Sequence, residues 1–183
     1  MRGAFSRGLM LSILLVTTQA QASDRFEQSV EIDGSRLERC GTGELVAYHI
    51  FTVGHAALYR PKCDISWAMP ANESATILFR YARDIPAHAF PEAAEKMLAR
   101  NIDDPQLRAQ MPSRLKAFHS AYRAVEDGDL YQISYQREAG LSLFLNQKPL
   151  AVLADGPLAR LYFSIWLGDA PFDEVLKDDL LGR

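Results

Sequence analysis

Alternation of apolar and polar positions predicts β-strands over much of the chain. The clearest are residues 75–81 and 130–135, which are rich in β-branched and aromatic side chains. Residues 140–153 predict a hairpin, because leucines alternate before Asn146 and asparagine favours turn geometry. Strand pairs are therefore expected both in the middle of the chain and close to its end.

The first third of the chain also has the pattern of strands. Residues 26–32 alternate loosely, and Asp33-Gly34 is a hairpin signal that leads into residues 36–39. Residues 44–53 form a run of β-branched and aromatic residues that Gly54 interrupts and residues 56–60 resume. We expect this apolar run to be a strand that is buried on both faces.

The middle of the chain has the spacing of helices. Apolar residues three or four apart after Pro86 predict a helix over residues 87–101. Pro105 begins a second helical stretch that Pro112 is expected to break, and a further helix then continues through Val125.

The end of the chain predicts two more helices. Asp155, followed by Gly and Pro, is expected to cap a helix that Gly168 ends in the left-handed conformation. Asp169 is expected to cap a short last helix that ends at Gly182. Strands, helices, strands and helices thus follow one another with hairpin-length links, which favours an α+β fold with helices on one side of an antiparallel sheet.

Residues 1–22 have the form of a secretory signal peptide. Arg2 and Arg7 precede a short apolar run, and Ala20-Gln21-Ala22 has the small-x-small form of a cleavage site. The run is too short for a stable membrane span, which needs about 20 residues. We therefore expect one domain over residues 23–183 that works in the periplasm or outside the cell.

The charge of the chain argues against two classes of partner. The net charge is −3, and loss of the two arginines in the signal peptide makes it −5. A mildly acidic chain without a Lys/Arg cluster does not offer the basic face that nucleic acid or an anionic membrane surface needs.

The chain has two cysteines, Cys40 and Cys63. In an oxidising compartment an even pair is best explained as a disulfide, which here would join the ends of a strand-turn-strand segment. Free or metal-bound thiols are the competing interpretation, although neither cysteine has the neighbours of a zinc site.

Several short motifs are spread over most of the mature chain. The longest is Ile165-Trp166-Leu167-Gly168-Asp169-Ala170-Pro171, and the shorter ones include Cys40-Gly41-Thr42-Gly43, Ala56-Ala57-Leu58-Tyr59 and Tyr81-Ala82-Arg83-Asp84-Ile85-Pro86. Together these motifs resemble those of bacterial chalcone isomerase-like proteins. The resemblance implies an open-faced β-sandwich, in which helices cover one side of an antiparallel sheet.

The resemblance also implies that a catalytic cation is missing. The plant enzymes of this family hold developing negative charge with an arginine shortly after an early glycine. Between Gly43 and Tyr59 the chain has no Arg or Lys, and Val46 stands at the position that the resemblance assigns to the arginine.

Three polar residues are the ligand contacts that the resemblance offers. Thr52 matches the threonine of the family if a slip of two residues is allowed. Asn101 matches an asparagine on a helix, whereas its tyrosine partner seven residues earlier is replaced by Ala94. Ser164 lies near the closing helix, where the enzymes use a hydroxyl.

The histidines offer a different chemistry. His49 and His55 flank the part of the strand where the family pocket would lie, and either could shuttle a proton near neutral pH, with Tyr59 as a further catalytic candidate. Satisfied histidines in a core or at a sheet edge would have the same pattern. His88 and His119 are expected on exposed helical faces. No histidine has the spacing of a zinc site, so we expect no metal and no cofactor.

Three functions are open on these observations. The leading hypothesis is a secreted chalcone isomerase-like protein that binds a small apolar molecule in the cleft between sheet and helices, without the catalytic arginine. The second is an isomerase or intramolecular lyase that acts on an enone-like or phenolic substrate through His49 or His55. The third is a structural or partner-binding protein of the cell envelope, whose acidic residues 173–179 would face a basic partner.

Overall fold

The computed structural model describes residues 26–32, 34–47, 50–63 and 74–183. They form one antiparallel sheet of seven strands, each paired with the next along the chain. The strands are β1 Ser29–Ile32, β2 Ser35–Ala47, β3 Phe51–Arg60, β4 Ala75–Tyr81, β5 Leu130–Gln136, β6 Gly140–Leu145 and β7 Lys148–Leu153. The helices are α1 Ala89–Leu98, α2 Pro105–His119, α3 Gly156–Leu167 and α4 Glu174–Leu180. The predicted α+β class with an open-faced sandwich is confirmed.

The two faces of the sheet have different neighbours. On one face Leu58, Ile77 and Phe79 belong to the large core that includes the buried sides of the helices. On the other face Tyr59 and Leu78 belong to a second, smaller cluster of buried residues. Because side chains alternate along a strand, consecutive residues of β3 and β4 serve the two clusters in turn. We call these the helix face and the outer face.

The expected strand over residues 44–53 is wrong. β2 ends at Ala47 and β3 begins at Phe51, so the turn of a hairpin lies inside the apolar run. Ile50 and Phe51 are exposed near this turn, and not buried on both faces as expected. Apolar propensity is the same in the two strands of a hairpin, so composition alone did not reveal the reversal.

The expected break at Pro112 is also wrong, because α2 runs through it. The missing N–H of Pro112 leaves the carbonyl of Arg108 without its helical partner, but both residues are exposed, so water can bond that carbonyl. The helix ends at His119 and does not continue through Val125, which pairs with Ile85 in an isolated β-bridge.

The end of the chain follows the prediction in part. Asp155 caps α3 as expected, since its carboxylate accepts a hydrogen bond from the Leu158 N–H at 3.1 Å. Gly168 is not left-handed but extended, with φ −78° and ψ −172°. A Cβ there would lie 2.6 Å from the Asn101 Oδ1 atom, so close approach, and not backbone conformation, requires glycine. Asp173, and not Asp169, caps α4.

Helix α4 lies directly on strand β2. A Cβ added to Gly41 would lie 2.0 Å from the carbonyl oxygen of Asp179, and one on Gly43 would lie 2.9 Å from a methyl carbon of Leu176. The two glycines therefore allow a distance between helix and strand that side chains would prevent.

The predicted disulfide between Cys40 and Cys63 is present. It joins β2 to the chain just beyond β3. No helix among the described residues combines the length and apolarity needed to cross a bilayer. The predicted signal peptide and His49 lie outside the described residues.

Candidate functional site

Four polar side chains from the helical layer form one hydrogen-bonded chain. Glu95 on α1 lies 3.2 Å from the Nδ1 atom of His119, the last residue of α2. The Nε2 atom of His119 lies 3.3 Å from the hydroxyl of Tyr162 on α3. That hydroxyl lies 3.0 Å from the hydroxyl of Tyr122, which follows α2. We call these four residues the helix-layer network.

The network runs from the surface into the core. The side chain of Glu95 is 41% exposed, whereas that of His119 is 5% exposed. Tyr162 has no exposed surface and Tyr122 is 7% exposed. A buried polar group without a hydrogen bond costs free energy, so this chain satisfies groups that would otherwise destabilise the core.

Helical spacing explains why three of these residues point inward. Leu115, Phe118, His119 and Tyr122 are three or four residues apart, which places them on one side of α2 and its last turn. Tyr162 has the same relation to Leu158 and Ile165, both buried on α3. The network therefore forms where the inner sides of three helices meet.

Aromatic rings surround the two tyrosine hydroxyls. The ring of Phe90 stacks on Tyr122 with centroids 5.3 Å apart, and Phe118 meets Tyr162 edge to face at the same distance. From the helix face of the sheet, Tyr131 lies 5.6 Å from Tyr122. This environment is largely apolar, which strengthens the hydrogen bonds of the network.

Burial sets the protonation of the network. Burial raises the pKa of the Tyr122 and Tyr162 hydroxyls well above their ordinary range, so both stay protonated. Burial lowers the pKa of His119 below its ordinary value, although the hydrogen bond and charge of Glu95 oppose this shift. A neutral imidazole next to a carboxylate can accept or pass a proton near neutral pH.

The expectation that His119 lies on an exposed helical face is wrong. Its position four residues after Leu115 was the available signal, because Leu115 is itself on the inner side of the helix. Phe118 and His119 both fit the inner side of a helix at this spacing.

The candidates on β3 do not join the network. Tyr59 belongs to the outer-face cluster, where its hydroxyl donates to the carbonyl of Glu27 at 2.8 Å and burial raises its pKa to about 12. His55 shares the outer face with Tyr59 by alternation along β3. Thr52 donates to the carboxylate of Glu44 at 3.4 Å. Their catalytic or binding roles stay predictions.

The candidates in the helical layer bond to backbone. The side chain of Asn101 donates to the carbonyl of Ala170 at 2.9 Å and accepts from its N–H at 3.1 Å, so it fixes the link between α3 and α4. The hydroxyl of Ser164 donates to the carbonyl of Leu161 one turn earlier. Their predicted ligand contacts also stay predictions.

The position assigned to the family arginine lies next to one of these candidates. Val46 on β2 is the register partner of Thr52 on β3, beside an irregularity in the pairing. The two positions that the resemblance linked to the plant enzymes are therefore adjacent in the sheet.

Comparison with protein families gives a match to the model of chalcone isomerase-like proteins over residues 18–182. The chain belongs to the chalcone isomerase-like family. The resemblance found in the sequence is thereby confirmed for the family as a whole.

A solved structure shares the chalcone isomerase-like fold. The crystal structure of a fatty-acid binding protein from Arabidopsis thaliana matches with a TM-score of 0.56 and 17% sequence identity, over 84% of this chain and 95% of that one. At this identity the likeness shows the fold alone. No curated protein sequence matches this chalcone isomerase-like chain significantly.

Proposed function

We propose that this chalcone isomerase-like protein binds a small, largely apolar molecule between the sheet and the helices. The observation that carries the proposal is the helix-layer network, a set of hydrogen-bonding groups that ends among aromatic rings. Binding sites for small molecules combine apolar walls with a few placed polar groups. Phe90, Tyr122 and Tyr131 offer such walls at this place.

The structural neighbour supports the same class of ligand. The Arabidopsis protein is named for binding fatty acids, and its chain is covered almost completely by this fold. A fatty acid is a small, largely apolar molecule, which is the class of ligand that the aromatic walls suit.

The proposed binding does not involve the arginine of the plant enzymes. Arg80 donates to the carbonyl of Gly128 at 3.3 Å, and the guanidinium of Arg83 lies 5.8 Å from the ring centroid of Phe51. Arg60 is buried, but it is the last residue of β3. Tyr81 pairs with Gly54, which lies near the other end of that strand. These positions of Arg60, Arg80 and Arg83 support binding rather than the arginine-dependent chemistry of the plant enzymes.

We further propose that the protein works in the periplasm or outside the cell. The signal-peptide pattern of residues 1–22 and the disulfide between Cys40 and Cys63 support this location, because disulfides persist in oxidising compartments. Fractionation of cells that produce the full chain tests it. Recovery of uncleaved protein in the cytoplasm would contradict it.

A fluorescence titration tests the binding. Diphenylhexatriene has no hydrogen-bonding group and fluoresces in apolar surroundings, so we expect saturable binding to the mature protein. Phe90→Leu removes a ring of the proposed site and should weaken binding about three- to tenfold, the usual range for an aromatic contact.

Phe144→Leu is the matched control. Phe144 is also half-buried, but it lies on β6 between Leu143 and Leu145, which serve the large core, so it faces the other way. We expect this variant to bind the dye as the unmodified protein does. Equal loss in both variants, or no saturable binding, would contradict the proposed site.

A further inference from the structure

One direction of the hydrogen bonds satisfies every donor of the helix-layer network. A carboxylate accepts hydrogen bonds, so the Nδ1 atom of His119 donates to Glu95. In a neutral imidazole the other nitrogen then accepts, and the hydroxyl of Tyr162 must donate to Nε2. Each proton along the chain therefore points towards Glu95.

In this direction the hydroxyl oxygen of Tyr122 has a lone pair that can still accept a hydrogen bond. The hydroxyl of Tyr162 donates its hydrogen to His119, so it accepts a hydrogen bond from Tyr122 across the 3.0 Å contact. The hydroxyl hydrogen of Tyr122 is then already used in this bond. Within the described part of the chain its hydroxyl has no second partner, and one lone pair of its oxygen remains unused.

The neighbouring tyrosines do not fill that lone pair. The hydroxyl of Tyr131 donates to the carbonyl of Arg123 at 2.8 Å and accepts from its N–H at 2.7 Å. The ring of Tyr81 meets that of Tyr131 edge to face, and among the described residues no hydrogen bond joins Tyr81 to Tyr122. The rings of Phe90 and Phe118, which also contact Tyr122, carry no donor.

We propose that the oxygen of Tyr122 is the polar contact of the ligand site and that it accepts a hydrogen bond from an uncharged hydroxyl group, either an alcohol or a phenol. This inference rests on the proposed function and specifies the ligand. An ionised carboxylate has only acceptor atoms, so it cannot donate a hydrogen bond to the oxygen of Tyr122. It would also lose its hydration on entering the site. The site therefore discriminates against the ionised end of a fatty acid.

Three probes with one ring system test the inference. 2-Naphthol is a neutral phenol at neutral pH, 2-methoxynaphthalene lacks the donor, and 2-naphthoate carries a carboxylate in the same place. We expect 2-naphthol to bind roughly tenfold more tightly than 2-methoxynaphthalene, the ratio that one net hydrogen bond gives. Binding of 2-naphthoate should be weaker still. Intrinsic fluorescence or calorimetry provides the dissociation constants.

Two variants separate the direction of the hydrogen bonds from simple packing. Tyr122→Phe removes the acceptor, so the preference for 2-naphthol over 2-methoxynaphthalene should fall to about one. Tyr162→Phe frees the hydrogen of Tyr122 to point at the ligand, so the preference should shift towards 2-naphthoate and 2-methoxynaphthalene. Tyr59→Phe on the outer face should keep the original order, and thermal unfolding checks that each variant is folded.

Several results would overturn the inference. Equal affinities for the three probes, tightest binding of 2-naphthoate, or an unchanged preference in Tyr122→Phe would each do so. If the protein binds diphenylhexatriene but none of the naphthalene probes, the inference fails and the proposed function stands. If it binds no apolar probe at all, both fail.

Discussion

His119 holds the site together, because its two ring nitrogens join a carboxylate on one helix to a hydroxyl on another. Glu95 fixes which nitrogen carries the proton, as second partners of catalytic and metal-bound histidines do. The rings around the tyrosines then hold the two hydroxyls in line. A change in this one side chain should therefore be visible in the stability of the whole protein.

Acid should weaken the fold through His119. Burial lowers the folded pKa of His119 below the ordinary value of 6.5, so the unfolded chain binds more protons than the folded one as the pH falls through that value. The stability that neutral His119 contributes is present above pH 6.5 and is lost as the pH falls through the folded pKa. Urea denaturation over a series of pH values measures this slope.

The comparison for this prediction is His119→Gln against His88→Gln. His88 is exposed, so its substitution should keep the slope, whereas His119→Gln should flatten it. Asp129 and Asp155 have a pKa below the ordinary value of 3.8, mainly through hydrogen bonds from Asn146 and the Leu158 N–H, so their acid effect comes at lower pH. A slope that survives in His119→Gln would refute the assignment.

Tyr162→Phe should destabilise the protein by about 1–3 kcal/mol, because the variant leaves Nε2 of His119 and the hydroxyl of Tyr122 without their common partner. Tyr135→Phe is the control, since the hydroxyl of Tyr135 has no hydrogen-bond partner among the described residues, and it should change stability by less than about 0.5 kcal/mol. Equal effects of the two variants in chemical denaturation would mean that the network does not stabilise the core.

Single residues were predicted unevenly from the sequence. The cap at Asp155 was predicted because its signal is local, and the disulfide was predicted because the chain has only two cysteines. Asn101 fits a motif, yet its amide bonds the backbone of Ala170, 69 residues later. No local pattern encodes a contact of that separation, so the structural use of Asn101 could not be foreseen.

The contact between α4 and β2 depends on the absence of side chains. The Cβ of an alanine at Gly41 would overlap the backbone oxygen of Asp179, which cannot move without moving the helix. Gly41→Ala should therefore cost about 1–3 kcal/mol, the usual range for overpacking. Chemical denaturation measures the cost, and proteolysis near the C-terminus should become faster if α4 separates from the sheet.

Gly156→Ala is the control for the glycine prediction. A Cβ at Gly156, at the start of α3, meets nothing within 4 Å, and alanine is the better helix former, so this variant should be neutral or stabilising by up to about 1 kcal/mol. If Gly41→Ala is tolerated as well as Gly156→Ala, the close packing of α4 is not needed for stability.

The strands and helices were predicted better than their boundaries. The hairpin around Asn146 forms as expected, with Asn146 and Gln147 at φ 50° and 66° in its turn. The reversal between β2 and β3 was missed, since nothing in that apolar run resembles a turn signal. Pro112 lies inside α2 without ending it, because the carbonyl that it leaves unbonded is exposed to water.

The disulfide should be one of the larger single contributions to the stability of the whole molecule. Replacement of both Cys40 and Cys63 by serine removes a link across a sequence separation of 23 residues, and the chain-entropy model gives roughly 3 kcal/mol for such a loop. The unmodified protein should lose a similar amount in a reducing buffer, while the double variant should not respond to reductant. A response of the double variant would contradict this explanation.

The fold as a whole could be predicted, but the site could not. The order of strands and helices and the motif around Trp166 both indicated the right architecture, because both depend on residues that are close together in the sequence. The helix-layer network combines side chains of α1, α2 and α3, and their contacts come from the packing of the helices. Packing of this kind leaves no local pattern along the sequence.

The most direct test of the binding site is an NMR titration of protein with isotope-labelled tyrosine rings. The chain has seven tyrosines, and those in the described part of the chain include Tyr59 on the outer face and Tyr131 on the helix face. Saturable addition of 2-naphthol should shift the ring signals of Tyr122 and Tyr162 and leave that of Tyr59 in place. Shifts at Tyr59 while Tyr122 and Tyr162 stay unchanged would contradict a ligand site between the sheet and the helices.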